Sequence, residues 1–143
     1  MKNLLKRLHR PQRRDAGFTL VEVMVVIVII GLLATVVMIN VLPSQDRAMR
    51  EKARADIAVL EQAIETFRLE TLRFPTAAEG LQALVAPPNG RDGGYIRRLP
   101  ADPWGNPYQY AFPGEKGRFD IYSFGADGVK GGEGNDADIG NWS

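Results

Sequence analysis

The 143 residues hold no cysteine and a single histidine, His9. That removes disulfide stapling, Cys- or His-based nucleophilic chemistry, and nearly all zinc, copper and haem sites. The net charge of +1 conceals a division: residues 1–17 set six basic side chains against Asp15, a balance of +5, whereas the rest has twelve basic and sixteen acidic side chains, a balance of −4. A body of that charge lacks the basic surface that nucleic acid requires, and no acidic pair or Ser–Lys arrangement marks a catalytic centre.

Along the chain, the basic leader is followed by an apolar run from Phe18 to Leu42, broken only by Thr19, Glu22, Gly31, Thr35 and Asn40. As a helix, these 25 residues reach about 37 Å, enough to cross a hydrocarbon core of about 30 Å. Val and Ile dominate, but a strand of that length would be abnormal, so a membrane helix is expected. The lysines and arginines before it keep the N-terminus cytoplasmic and place the chain beyond Leu42 outside. The run exceeds the apolar core of a secretory signal and lacks a small-residue cleavage site after it. Glu22 is the anomaly, since a charge near the bilayer centre costs about 2.5–3.5 kcal/mol even on the lenient insertion scale. On the residues alone, an uncleaved anchor with a glutamate snorkelling at its edge remains open. Gly31, Ala34 and Thr35 put small side chains within one turn, which permits close helix packing.

After Pro43, which can kink the helix, the pattern turns amphipathic: Ile57, Leu60, Ile64 and Phe67 recur at spacings of three and four. One helix is expected from about Phe18 to Leu72, its second half packing a stripe on a small domain. "RFPTAAEGL" ends it near Pro75, and Thr76 with Glu79 has the spacing of a capping box opening a short second helix. "APPNGRDGGY" reads as a loop. Strands are expected at Tyr108–Phe112 and Arg118–Phe124, joined through "GEKG" as a hairpin, with Trp104 in the core.

The tail, "GADGVKGGEGNDADIGNWS", spaces Asp127, Asp136 and Asp138 with small residues. Carboxylates held near one another repel unless solvated or bound to a cation; oxygen-only donors favour calcium. Asp127 to Asp138 spans an EF-hand's twelve positions, but Val129 and Gly131 stand where side-chain oxygens belong, so it is no EF-hand. A solvated Gly/Asp loop and a calcium loop both remain open at this point.

"GFTLVEVMVVIVIIG", Gly17 to Gly31, resembles the class III signal of type IV pilins and pseudopilins. The resemblance implies that a prepilin peptidase cuts between Gly17 and Phe18, that the new Phe18 amine is methylated, and that Glu22 meets the amine of a neighbouring subunit. "RFPTAAEGLQALV", "YIRRLPADPWGNPYQY" and "FDIYSFGADG" narrow the likeness to the major pseudopilins of type II secretion. It implies an α+β, type IV pilin-like fold, with a long N-terminal helix packed on a small antiparallel sheet. It divides the chain into a leader (1–17), a membrane and assembly helix (18–42) and a periplasmic head (43–143).

By the same resemblance the chain is a filament subunit and not an enzyme, helping to export folded proteins from the periplasm across the outer membrane. Its partners would be further copies of itself, minor pseudopilins, the inner-membrane secretion platform, the prepilin peptidase and the membrane. One calcium would be held by Asp127, Asp136 and Asp138, with the carbonyls of Phe124 and Val129. Most major pseudopilins place the proline four residues earlier, where Ile39 stands, which leaves the position of any kink open. The rival readings are a type IV pilin or minor pseudopilin, and a monomeric membrane-anchored binder of calcium or carbohydrate.

Overall fold

The computed structural model describes residues 17–143. The leader expectation therefore lies, apart from Gly17, outside the described residues. The chain divides into two units, the first ending at Asn40 and the second Val41–Ser143. Helix α1, Leu20–Thr71, contributes to both. Its bounds fall within two residues of those read from the sequence.

In the first unit the Val- and Ile-rich stretch is helical despite its β propensity. A lone segment in lipid must satisfy its backbone internally, and only a helix does so. The large apolar side chains from Leu20 to Ile39 are all exposed, none less than 44%. Among the described residues α1 is the one helix long and apolar enough to cross a membrane. Thr35 Oγ1 donates back to the Gly31 carbonyl at 2.9 Å, which satisfies the hydroxyl within the helix itself.

In the second unit α1 continues through Pro43 and supplies the floor of the head. Ala53, Ile57, Leu60, Ala63, Ile64 and Phe67 form its buried stripe. The helix ends where Leu72 takes φ of 59° and its N–H donates to the Arg68 carbonyl at 2.8 Å. That left-handed cap position usually belongs to glycine.

The expected capping box is present: Thr76 N–H donates to Glu79 Oε2 at 2.8 Å, and Glu79 N–H to Thr76 Oγ1 at 3.2 Å. It does not open an α-helix. Gly80 has φ of 57°, which interrupts α-helical propagation, and a five-residue 3-10 helix, Gly80–Leu84, follows. Leu81 and Leu84 still reach the core from it.

Strand β1 is Gln109–Ala111 and β2 is Asp120–Ser123, both inside the expected spans. A third strand that the sequence reading did not contain, β3, Ile139–Gly140, completes an antiparallel sheet in the order β1-β2-β3. Tyr110 faces Ile121, and Ser123 faces Ile139. The hairpin connection is closed by buried Asp120, whose Oδ2 accepts the N–H groups of Glu115 (2.7 Å) and Lys116 (3.0 Å). Ile121 and Ile139 are fully buried with Leu60, Ile64, Phe67 and Leu84. Trp104 packs at the edge of this core, partly buried.

The Arg73 guanidinium forks onto Glu79 at 2.7 and 2.8 Å. With the Thr76 N–H it holds the Glu79 carboxyl down to about 2, from an ordinary 4.5. In the unfolded chain Glu79 titrates near its ordinary value, so this stabilisation is complete above pH 4.5 and is lost as pH falls toward 2. Thermal melts between those limits are expected to show a shallower acid decline for Glu79→Gln than for the wild type, the two curves converging at the acid end.

Candidate functional site

The N-terminus of α1 concentrates the chemistry of the first unit. Gly17, Phe18 and Thr19 precede the helix, and Phe18 is 88% exposed. Thr19 N–H donates to Glu22 Oε2 at 3.0 Å, and Glu22 N–H donates to Thr19 Oγ1 at 3.2 Å. This is a reciprocal capping box, which satisfies two amides that a helix start otherwise leaves without partners. The carboxylate also lies at the positive end of the helix dipole. Glu22 is thus solvated by its own helix, and Phe18 stands immediately before the cap.

The sequence reading singled out Phe18 and Glu22 but missed Thr19. Its signal was in plain view: Thr-x-x-Glu is the same spacing that marked Thr76 and Glu79.

The acidic loop leaves the end of β2 and is positioned by a buried carboxylate that the sequence reading also missed. Asp102 accepts the N–H groups of Trp104 (3.1 Å) and Asn106 (2.7 Å) on Oδ1, folding "DPWGN" into a turn. Its Oδ2 accepts the Ser123 hydroxyl at 2.6 Å, and that hydroxyl oxygen accepts the Gly125 N–H at 3.1 Å. The relay fixes the point at which the loop leaves the sheet. The loop then winds tightly. Gly125 has φ of 75°, and a Cβ there would lie 2.6 Å from the Asn135 carbonyl oxygen. Ala126 N–H donates to that same carbonyl at 2.9 Å, drawing the two ends of the loop together.

Asp127 Oδ1 accepts the Val129 N–H at 3.0 Å, and both oxygens of Asp138 accept the Gly131 N–H at 3.1 Å. Asp136 lies on a short 3-10 turn, Gly134–Asp136, and is exposed. Phe124 rests edge-on against Tyr122 with ring centroids 5.2 Å apart, and Val129 is 62% exposed. Among the described residues, no three His, Cys, Asp or Glu side chains are grouped to hold a metal ion. The expected ligands thus lie along one loop, which does not gather Asp127, Asp136 and Asp138 into one cluster. Oxygen-only donors and the close-wound backbone suit a hard cation in kind, with carbonyls supplementing the carboxylates.

Both regions fall within matches to known proteins. The family description "Type II secretion system (T2SS), protein G" matches residues 40–142, and "Prokaryotic N-terminal methylation motif" matches residues 12–38. The type II secretion system core protein G of Vibrio cholerae is 51% identical over 140 residues, covering 94% of this chain and 96% of that protein. Its Pseudomonas aeruginosa counterpart is 48% identical over 138 residues, covering 92% and 97%. Among solved structures, the crystal structure of the major pseudopilin from the type 2 secretion system of enterohaemorrhagic Escherichia coli superposes with a TM-score of 0.63. It is 44% identical and covers 72% of this chain and 94% of that one.

A methyl group at Gly125 would have to adopt a left-handed backbone and meet the Asn135 carbonyl. Gly125→Ala is expected to destabilise the head by about 2 kcal/mol or more. In a domain of this size that is a fall in Tm of roughly 10 °C, with faster amide exchange at the loop.

Proposed function

Because the chain belongs to the type II secretion system protein G family, we infer that it is the major pseudopilin of such a system: a structural subunit that polymerises through α1 into a pseudopilus helping to export folded proteins. The observation that carries this reading is a likeness running through both units, with Glu22 the only acidic residue of the apolar run. The N-terminus lies in the cytoplasm, α1 anchors the chain in the inner membrane, and the head lies in the periplasm, as the basic leader supports. Minor pseudopilins, the secretion platform and the prepilin peptidase are its partners.

The mechanism rests on charge. Cleavage after Gly17 creates a cationic amine at Phe18, one residue before the cap that holds Glu22. An unpaired charge in lipid costs about 2.5–3.5 kcal/mol on the lenient scale. Pairing the Glu22 carboxylate of one copy with the Phe18 amine of the next offsets that cost and sets the axial register. Head-to-tail pairing of this kind is heterologous, and with a rise from copy to copy along the axis it propagates as an open fibre. Glu22→Ala is expected to leave insertion and cleavage intact and to reduce sheared filament yield at least tenfold, an assumed pairing term of about 1.4 kcal/mol or more. Wild-type yield from that variant would remove Glu22 from assembly.

We also propose that the acidic loop binds one calcium through Asp127, Asp136 and Asp138, with the carbonyls of Phe124 and Val129. The ion would draw these carboxylates and carbonyls into shared ligation, and its role is structural. At a hundredfold excess over Kd, calcium is expected to stabilise the head by about 2.7 kcal/mol. Chelation should therefore lower Tm by roughly 10 °C. An unchanged melt would refute the site.

A further inference from the structure

One contact reaches the acidic loop from outside the loop and the sheet. Arg50, on the part of α1 beyond Pro43, donates through Nη1 to the carbonyl of Gly134, 84 positions later in the chain. That carbonyl opens the 3-10 turn Gly134–Asp136 and also accepts the Ala137 N–H at 3.4 Å. The next carbonyl, of Asn135, is held by Ala126 N–H at 2.9 Å. The turn is thus pinned on one side by the loop's own start and on the other by α1. Asp136 lies in this turn and Asp138 two residues beyond, so the placement of two of the three proposed ligand carboxylates depends on it.

Arg50 is not simply another surface arginine. Its neighbour Arg54 is held by Glu51 at 2.7 Å, and Lys52 by Asp56 at 2.6 Å, both local pairs within α1. Arg50 instead spans from the helix to the loop. Around it lies a groove of about 490 Å³ lined by Asp46, Arg47, Glu51 and Arg54 of α1 and by Gly134 and Asn135. The charged groups facing the contact are therefore those four on α1, with Glu133 and Asp136 beside it on the loop. The guanidinium meets a carbonyl, not a carboxylate, so a cation taken up by the loop does not remove its partner.

We infer that Arg50 is a positioning residue for the acidic loop, coupling cation binding there to the order of α1 at residues 46–54. This rests on the calcium reading above. A cation that fixes the Gly134–Asp136 turn holds the Gly134 carbonyl in place and with it the Arg50 side chain. By linkage, a bond that orders the turn beforehand raises the affinity for the cation by the same factor. A charge-assisted bond to a carbonyl is strong enough to carry such a coupling. Repulsion between a bound cation and the guanidinium acts in the opposite direction, so the sign of the effect is itself informative.

The test uses the full-length protein in detergent micelles, with calcium titration by calorimetry and amide exchange read at residues 46–54 and 126–137. In the wild type, calcium is expected to slow exchange in both segments. In Arg50→Met it should bind about fivefold more weakly and slow only the loop. Arg50→Lys, which can still donate to the carbonyl, should recover part of the loss, and Arg54→Met should behave as wild type. Equal or tighter binding by Arg50→Met overturns the proposal, as does loop protection in the wild type without any change at 46–54. No calcium effect on either segment overturns the proposal and the calcium site together, which separates the two failures.

Discussion

A single carboxylate carried in the apolar first part of α1 is the constraint on which the rest depends. Glu22 stands at the start of a stretch that otherwise contains nothing a membrane would reject. The structure answers the local part of the problem: the carboxylate caps the helix that carries it, taking the Thr19 N–H and standing at the positive end of the dipole. A cap reduces the cost of the charge without neutralising it. On the proposed reading the remaining imbalance would favour association, since the cation that completes it would be made by cleavage next to Phe18 and supplied by another copy. The same element would then tolerate insertion as a single chain and favour assembly once the leader is gone.

The second demand on α1 is chemical and not electrostatic. Up to Asn40 its side chains are apolar on every face, as a lipid environment requires; from Ala53 onward they are apolar on one stripe only. That stripe organises the head. Phe67, Ile64 and Leu60 are fully buried, and three short strands with one 3-10 turn suffice to cover them. A sheet this small would be marginal alone; laid on a helix, each inward residue, Ile121 and Ile139 above all, meets a ready-made apolar floor. The polar relay from Asp102 through Ser123 to Gly125 then carries positional order from the core to the acidic loop.

Much of this was legible in the sequence because it rests on long or repeated patterns. The run from Phe18 to Leu42 and the spacing of Ile57, Leu60, Ile64 and Phe67 specify a helix and its buried face. Alternation around Tyr110 and Ile121 specifies the hairpin. The features that sequence did not reveal are short or non-local. Strand β3 has two residues, one of them glycine, and owes its existence to pairing with β2 and to the burial of Ile139. The Thr76–Glu79 box was recognised, but the left-handed Gly80 after it turned the expected helix into a 3-10 segment. The box at Thr19 and Glu22 is hard to see in sequence because its residues sit inside a stretch dominated by large apolar side chains. Asp102 and Arg50 act across separations of 21 and 84 residues, which no local window contains. The carboxylates of the acidic loop share one stretch of chain in the sequence, while their mutual geometry depends on backbone turns that composition does not reveal.

The pairing of Glu22 with an amine on another copy can be observed directly in filaments assembled from two isotopically distinct pools. One pool would carry 15N at phenylalanine and the other 13C at the glutamate side-chain carboxyl, so that only contacts between copies give a dipolar signal. The account predicts dephasing from the Phe18 amine to the Glu22 carboxyl at salt-bridge range, about 4 Å, and its disappearance in filaments whose amine has been acetylated. Well-ordered mixed filaments with no such contact between copies would contradict it.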